Sequence, residues 1–411
     1  MTPRPGHAGR VLRRSWIFTR LSREGRAVLA MASSVLPFGV SLGRDETYLL
    51  VLATLALLAA SLLVSSAYRA QGLVVVASVP ARVPLGDELC VALELGNGGG
   101  RELRQLRVEP PPLGYDGRLL ELPADVERLA PGERRRVQAR LRFKRRGTHQ
   151  LAPFRVAQLL PLELAQGAAS KSLATSFLVV PRVACVTAVG AARSRRQQLA
   201  GLAGASRVAE ASDLAGVRPY RAGDALRELH ARSWARHGVP MVRQYRENHS
   251  ARLGVVVDTD ASLQSEAAFE AGLSLAAGIV ARLSEGEQLA DLLVTAERAE
   301  RLALGRQCAS LERALDLLAT LQRSPGFQGE RLLEQLAPHL GGLSCVVLVA
   351  LGWDEARAAL LARLEACGTS TLAYVLTEQV EPGPRPAWLA HAGRVRGVPI
   401  GAIARGEELL L

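Results

Sequence analysis

Lysine is nearly missing from this sequence. Of 51 basic residues only Lys144 and Lys171 are lysines, so the formal charge of +12 is carried by arginine. That skew, with so much alanine, leucine and glycine, is what a GC-rich genome produces, and it weakens any link between the charge and a polyanionic partner. Aromatic residues are scarce as well, at 4% of the chain. The arginines are spread along it without interleaved rings, which argues against nucleic-acid binding. The five cysteines, Cys90, Cys185, Cys308, Cys345 and Cys367, include no CxxC pair. Their scatter argues against a disulfide scaffold and a structural zinc site, and suits a reducing compartment. Four of them sit in apolar stretches, where buried free thiols are common. There is no nucleophile elbow, no phosphate-cradling glycine loop ahead of a helix and no HExxH. His7, His149, His237, His249, His339 and His391 are scattered, which leaves His230 alone inside a dense cluster. A non-enzymatic protein is the expectation.

What the chain does have is long uncharged runs near its start. From Ala27 to Gly43, and again from Thr47 to Tyr68, no residue is charged. Such runs match the roughly 17–25 residues that carry a helix across a bilayer. The second, TYLLVLATLALLAASLLVSSAY, is the stronger signal. The first holds Pro37 and Gly39, and could kink or lie partly at the interface. Arg44, Asp45 and Glu46 alone separate them, so residues 27–68 read as a two-helix hairpin. A cleaved signal peptide would account for the first run and leave the second unexplained. Arg4, Arg10, Arg13, Arg14, Arg20, Arg23 and Arg26 precede the hairpin. The positive-inside rule then places the basic arm, residues 1–26, and everything after Tyr68 in the cytoplasm. The arm would also suit anionic lipid.

A chain of 411 residues with 48% apolar side chains has room for two soluble cores behind this anchor. Residues 70–182 alternate in short segments, with strands expected at Leu73–Val79, Glu88–Leu95 and Ser176–Val180 and a turn at Gly96-Asn97-Gly98-Gly99-Gly100. Over Arg136–Phe143, Val137, Ala139, Leu141 and Phe143 alternate with Gln138, Arg140 and Arg142, giving a half-buried strand with one basic face. A small β-sandwich is implied. Residues 183–207 read as a linker. Residues 208–411 then switch to strand–helix alternation. Strands are expected at Leu253–Val257, Gln288–Thr295, Ser344–Leu351 and Thr371–Leu376, and helices at Gln264–Leu283, Ser310–Gln322, Glu330–Leu340 and Asp354–Ala366. Continuous apolar strands covered by helices predict a doubly wound α/β sheet with ligands at its C-terminal strand ends.

The densest run of unusual residues precedes the first of those strands: Arg218, Tyr220, Gly223, Asp224, Arg227, His230 and Arg236, followed by an extended Met241–Glu247 carrying Arg243 and Glu247. Asp224 is placed to cap a helix starting at Ala225. The stretch RPYRAGDALRELHARSWARHGVPMVRQYRE, followed by a strand ending in Asp258, resembles the signature of the domain of unknown function 58 family. The resemblance runs in order over nearly the whole chain, and Arg145-Arg146-Gly147 and Pro161-Leu162-Glu163-Leu164 echo it within the β region. It departs where the family shows His-Trp and then Ser-Ala-Arg, since His230 is followed here by Ala231 and Trp234 stands at the Ser position. The resemblance implies a membrane hairpin, a β-rich domain and a C-terminal von Willebrand factor A-like (Rossmann-type) α/β domain. It also implies work beside MoxR-type AAA+ ATPases in chaperone or assembly roles, with other envelope proteins as further partners.

Metal-binding domains of this fold use Asp-x-Ser-x-Ser plus a Thr and an Asp from later loops. Here the strand end reads Asp258-Thr259-Asp260-Ala261-Ser262, and a later loop offers Gly352-Trp353-Asp354. Asp258, Asp260 and Ser262 are hard oxygen donors suited to Mg²⁺ or another divalent cation. Equally, Asp258 could cap the following turn, with Asp260 and Ser262 opening the next helix. The motif upstream likewise has two readings: a partner site, or a buried ion-pair network holding its helix against the sheet. The functional expectation is a membrane-anchored interaction or scaffold protein. The alternative is a metal-dependent hydrolase or transferase using Asp258 and Asp260.

Overall fold

The computed structural model describes residues 20–42, 45–65, 70–159, 162–190, 213–221, 223–246, 252–260, 262, 265–285, 289–294, 300–304, 308–378 and 394–411. The chain divides into two compact units, Met1–Val180 and Pro181–Leu411. Arg4, Arg10, Arg13 and Arg14 of the basic arm, and Glu247 of the motif, lie outside the described residues.

The first unit opens with helices α1 (Arg23–Leu42) and α2 (Asp45–Ser65). At 1.5 Å per residue each is about 30 Å long, the thickness of a bilayer's hydrocarbon core. They pack side by side, burying Ala32 of α1 and Val51, Leu58, Ser61 and Ser65 of α2. Leu49, Leu50, Leu52 and Leu63 stay exposed on the other faces of α2. The hydroxyls of Ser33, Ser34, Thr54 and Ser65 donate to carbonyls three or four residues back, so these polar groups need no outside partner. Among the described residues, two helices are long and apolar enough to cross a membrane: one contains Tyr48–Ser65 and the other is Glu266–Glu285, which is mostly buried in the second unit.

The β-rich part of this unit follows the expected alternation. One antiparallel sheet has the order β1 (Leu73–Ser78), β3 (Glu88–Asn97), β7 (Arg134–Phe143), β5 (Gly117–Glu121). A second runs β10 (Ser170–Lys171), β9 (Arg155–Gln158), β4 (Leu103–Glu109), β6 (Val126–Leu129). A third joins β2 (Arg82–Pro84), β11 (Thr175–Val180) and β8 (Gly147–Leu151). Leu89, Leu93, Leu106, Leu129, Val156 and Phe177 from all three share one core. The register pairs Leu89 with Leu141 and Val91 with Ala139 on the inner face. Cys90 opposite Arg140 and Glu88 opposite Arg142 then face out, as the period of two requires. That register corrects the cysteine expectation. Among the cysteines whose side chains are described, Cys90, Cys185 and Cys367 are exposed and Cys345 is buried, which pushes its thiol up to about 11.

The foot of the hairpin is tied to the β-rich part. Leu21 bridges to Ala165, the Ser22 amide donates to the Leu164 carbonyl at 3.1 Å, and the Gln166 amide donates to Arg20 at 2.8 Å. A Cβ on Gly25 would stand 1.9 Å from the Leu164 carbonyl oxygen, so only glycine permits this approach. Arg107 then gathers Glu24, Asp125 and Glu163 at 2.8–2.9 Å. Leu162 and Glu163, in the turn that reaches the hairpin, have φ of 71° and 55°, a conformation that L side chains seldom adopt.

The second unit is built on a sheet that, among the described residues, has six strands. Their order is β17 (Glu300–Leu304), β16 (Leu289–Val294), β15 (Arg252–Val257), β18 (Cys345–Ala350), β19 (Ser370–Thr377), β20 (Val395–Pro399). All are parallel except the edge strand β17. In sequence order this reads 3-2-1-4-5-6, so the winding reverses between β15 and β18. Leu253, Val255 and Val257 share a core with α4 (Glu266–Glu285), α5 (Cys308–Thr320) and α8 (Ile400–Arg405). Val256, Val346 and Leu348 share another with α6 (Gly329–Leu336) and α7 (Glu355–Ala366). The sheet is therefore covered on both faces, which is why β18 at its centre is apolar and buried at every position.

The start of the expected linker belongs to this unit. Residues Val186–Ala188 form β12, parallel to the C-terminal β21 (Leu409–Leu410), and Ala184 and Val186 are buried in the α4 core. The boundary therefore falls at Val180, and the remainder of the linker, residues 191–207, lies outside the described residues.

Candidate functional site

The motif residues form a two-stranded ribbon of their own. Strand β13 (Asp213–Pro219) pairs antiparallel with β14 (Met241–Arg246), with Arg218 opposite Val242 and Val217 opposite Arg243. Between them lie a 3-10 turn at Leu226–Glu228 and the short helix α3 (Ala231–His237). Asp224 does not cap a helix. Gly223, at φ 106°, turns the chain so that the Asp224 carboxylate swings back onto Arg218, accepting from both terminal nitrogens at 2.7 Å. It also accepts from the Arg221 amide at 2.9 Å. The side-chain bonds from Arg218 and then the Arg221 amide hold Asp224 below the usual carboxylate range, and the same pairing raises Arg218.

His230 supplies the cap of α3. Its Nδ1 accepts from the Ser233 amide at 3.2 Å and lies 2.8 Å from the Ser233 hydroxyl. Its own amide donates to Met241 at 2.8 Å, locking the helix against β14. Arg227 belongs to the 3-10 turn and Arg236 to α3, so the single helix expected from Ala225 onward is split. No residue of the turn or of α3 is buried. Tyr220 (37% exposed), Trp234 (43%) and Leu226 (71%) present apolar surface beside the exposed Arg227, Arg236 and Arg243. The expectation of a buried ion-pair network is therefore corrected: the Arg218–Asp224 pair lies near the surface, in a ribbon outside the six-stranded sheet.

The acidic cluster sits elsewhere, at the C-terminal ends of β15 and β18, where the strand order reverses. Asp258 is 1% exposed and Asp260 3%. Each makes a local turn: Asp258 Oδ1 accepts from the Asp260 amide at 3.0 Å, and Asp260 Oδ1 accepts from the Ser262 amide at 2.9 Å and its hydroxyl at 2.6 Å. The helix α4 begins only at Glu266, so Asp260 and Ser262 belong to the preceding turn. Asp258 Oδ2 also accepts from the Leu351 amide at 3.2 Å, and the second oxygens of Asp258 and Asp260 face Arg357 of α7, whose side chain is fully buried. Its Nε donates to Asp258 Oδ2 at 2.8 Å, and its Nη2 reaches Asp258 Oδ2 at 2.6 Å and Asp260 Oδ2 at 3.1 Å. Its Nη1 donates to Asp354 Oδ2 at 2.6 Å, and Asp354 Oδ1 caps α7 through the Arg357 amide at 2.9 Å. The Phe327 ring lies under the guanidinium, 4.4 Å away.

Burial pushes the Asp258 carboxyl above the usual range, against the pull of Arg357 and of the Asp260 and Leu351 amides. Asp260 also feels burial, but bonds from Ser262 and Arg357 hold it below that range. Arg357 was not legible as a site residue, because an arginine in the first turn of an ordinary helix reads as solvent-facing. Its one local signal is its place three residues after Asp354. Among the described residues no group of three His, Cys, Asp or Glu side chains is arranged to hold a metal ion. Asp258, Asp260 and Ser262 as they stand do not fit a divalent cation, because Arg357 occupies the oxygens that would coordinate it.

Comparison with protein-family models finds no match, and comparison with curated proteins finds none either. Among solved structures, similarity is found to native alpha-2-macroglobulin of Escherichia coli from domain MG7 to the C-terminus (22% identity, TM-score 0.22), over 27% of this chain and 17% of that one. The trypsin-activated form of the E. coli protein matches over 39% of this chain and 9% of that one, at 18% identity and a TM-score of 0.22. A GH20 exo-β-N-acetylglucosaminidase from Vibrio harveyi matches over 75% of this chain and 58% of that one, at 11% identity and a TM-score of 0.17. Likenesses this weak carry no argument about fold or function.

Proposed function

We propose that the chain is a non-enzymatic interaction protein of the bacterial inner membrane, anchored by α1 and α2, whose von Willebrand A-like second unit docks a partner in the cytoplasm. The observation that carries this reading is the placement of the motif. Tyr220, Arg227, Trp234, Arg236 and Arg243 stand exposed on a separate ribbon, where a partner can reach them. From Asp213 to Arg246 the ribbon holds Arg218, Arg221, Arg227, Arg232, Arg236, Arg243 and Arg246 against Asp213, Asp224 and Glu228. That balance suits an acidic protein surface, with Tyr220 and Trp234 as apolar anchors of the kind that dominate interface energetics. The resemblance to the domain of unknown function 58 family makes a MoxR-type AAA+ ATPase the partner of choice. A metal-dependent hydrolase or transferase on Asp258 and Asp260 is disfavoured by Arg357, which fills the position such chemistry needs.

The test is affinity capture of the full chain from solubilised membranes, with the wild type beside Arg227→Glu/Trp234→Ala. The wild type is expected to retain the ATPase and the variant to lose at least about tenfold of it, as for a hot-spot pair. Equal capture by both, or no ATPase with either, would overturn the reading.

A further inference from the structure

The sheet-end cluster has the outline of a divalent-cation site, with two aspartates and a serine on one strand end and a third aspartate from a later loop. We infer that Arg357 is the resident cation of this site, and that the domain holds its C-terminal loops together without any metal. The inference is independent of the docking role of the ribbon.

Each carboxylate oxygen of Asp258, Asp260 and Asp354 already accepts a hydrogen bond. Asp258 accepts from the Asp260 amide on one oxygen and from Leu351 and Arg357 on the other. Asp260 accepts from Ser262 on one oxygen and from Arg357 on the other. Asp354 has one oxygen on the Arg357 amide and the other on its guanidinium. Mg²⁺ demands near-octahedral oxygen ligation at about 2.1 Å, so admitting it here would break several of these bonds at once.

The planar fork of arginine spans several carboxylate oxygens, where a lysine ammonium would act as a point charge. Phe327 closes its open face, and the Thr259 hydroxyl bonds Ser324, whose amide donates to the Thr259 carbonyl at 2.7 Å. These bonds draw the segment before α6 over the site. With its side chain fully buried, Arg357 is also out of reach of a partner's carboxylate. A partner therefore cannot complete this site as it would complete the coordination of an exposed metal ion.

The full chain in detergent tests this with terbium, whose luminescence the neighbouring Trp353 can sensitise, and with millimolar Mg²⁺ in thermal melts. The wild type is expected to give no saturable luminescence and no shift in Tm. Arg357→Ser is expected to open the site: saturable luminescence, competition by Mg²⁺, loss on adding Asp258→Asn, and a Mg²⁺-dependent rise in Tm of about 2–4 °C or more. Saturable terbium binding by the wild type that disappears in Asp258→Asn overturns the proposal. So does an Arg357→Ser chain that is folded yet silent to both ions. If Arg357→Ser fails to fold, the wild-type and Asp258→Asn titrations decide alone.

Discussion

The ribbon and the sheet end each hold an arginine–aspartate pairing, and the two pairings do opposite work. Arg218 and Asp224 meet at 2.7 Å near solvent, on a ribbon whose connecting turn and helix bury no residue. Arg357, its own side chain fully buried, meets the buried Asp258 and Asp260 at the point where the sheet reverses its winding. Near water such a pair adds little to stability and serves to shape a turn. In the interior the same chemistry becomes obligatory, because losing one partner strands a charge in a medium that cannot solvate it. The difference separates a surface available to a partner from a structural joint.

The sharpest way to break this comparison is Arg357→Met, which keeps the apolar stem and removes the charge. It is expected to cost about 3–5 kcal/mol in urea unfolding of the full chain followed by tryptophan fluorescence. A cost as small as that of an exposed pair would erase the distinction.

A smaller effect is expected at the foot of the hairpin, where backbone approach replaces charge. Gly25→Ala should cost about 1–3 kcal/mol, because the new methyl meets a backbone carbonyl that cannot swing aside. Faster amide exchange at Ser22 and Gln166 would report it, and unchanged exchange would show that the junction yields freely.

The smallest concerns pH. The folded Asp224 has a lowered pKa, so its pairing is intact above the ordinary carboxylate value of about 3.9 and is lost as pH falls through the lower folded value. Protection of the Arg221 amide, which donates to Asp224, should therefore be flat between about pH 6 and 8 and fall only in stronger acid. Loss of protection near neutrality would mean that a different group shapes the turn.

Much of the architecture was legible because hydrophobic period is local. The alternation over Val137–Phe143, the apolar strands at Leu253–Val257 and Ser344–Leu351, and the uncharged runs near the N-terminus each appear where periodicity placed them, with ends moved by a few residues. The motif was legible as a unit, yet its internal form was not. Asp224 before Ala225 has the look of a helix cap, and only the fold back onto Arg218 shows its bond. Cys90 shows the same limit: an apolar neighbourhood did not disclose which face of β3 it occupies, and the pairing with Arg140 did.

By itself, then, the sequence determined the kinds of segment and their order: two uncharged runs, alternating strands, and apolar strands divided by helices. It also determined that the strand end at Asp258 would be acidic. Only the tertiary structure decided what meets that acid. Arg357 lies 99 residues from Asp258, and β12 joins a C-terminal strand through Thr187 and Leu409, 222 residues apart. Nothing local distinguishes an arginine bound for solvent from one bound for a buried carboxylate. The distinction rests on burial, and burial belongs to the packed sheet and not to any one segment.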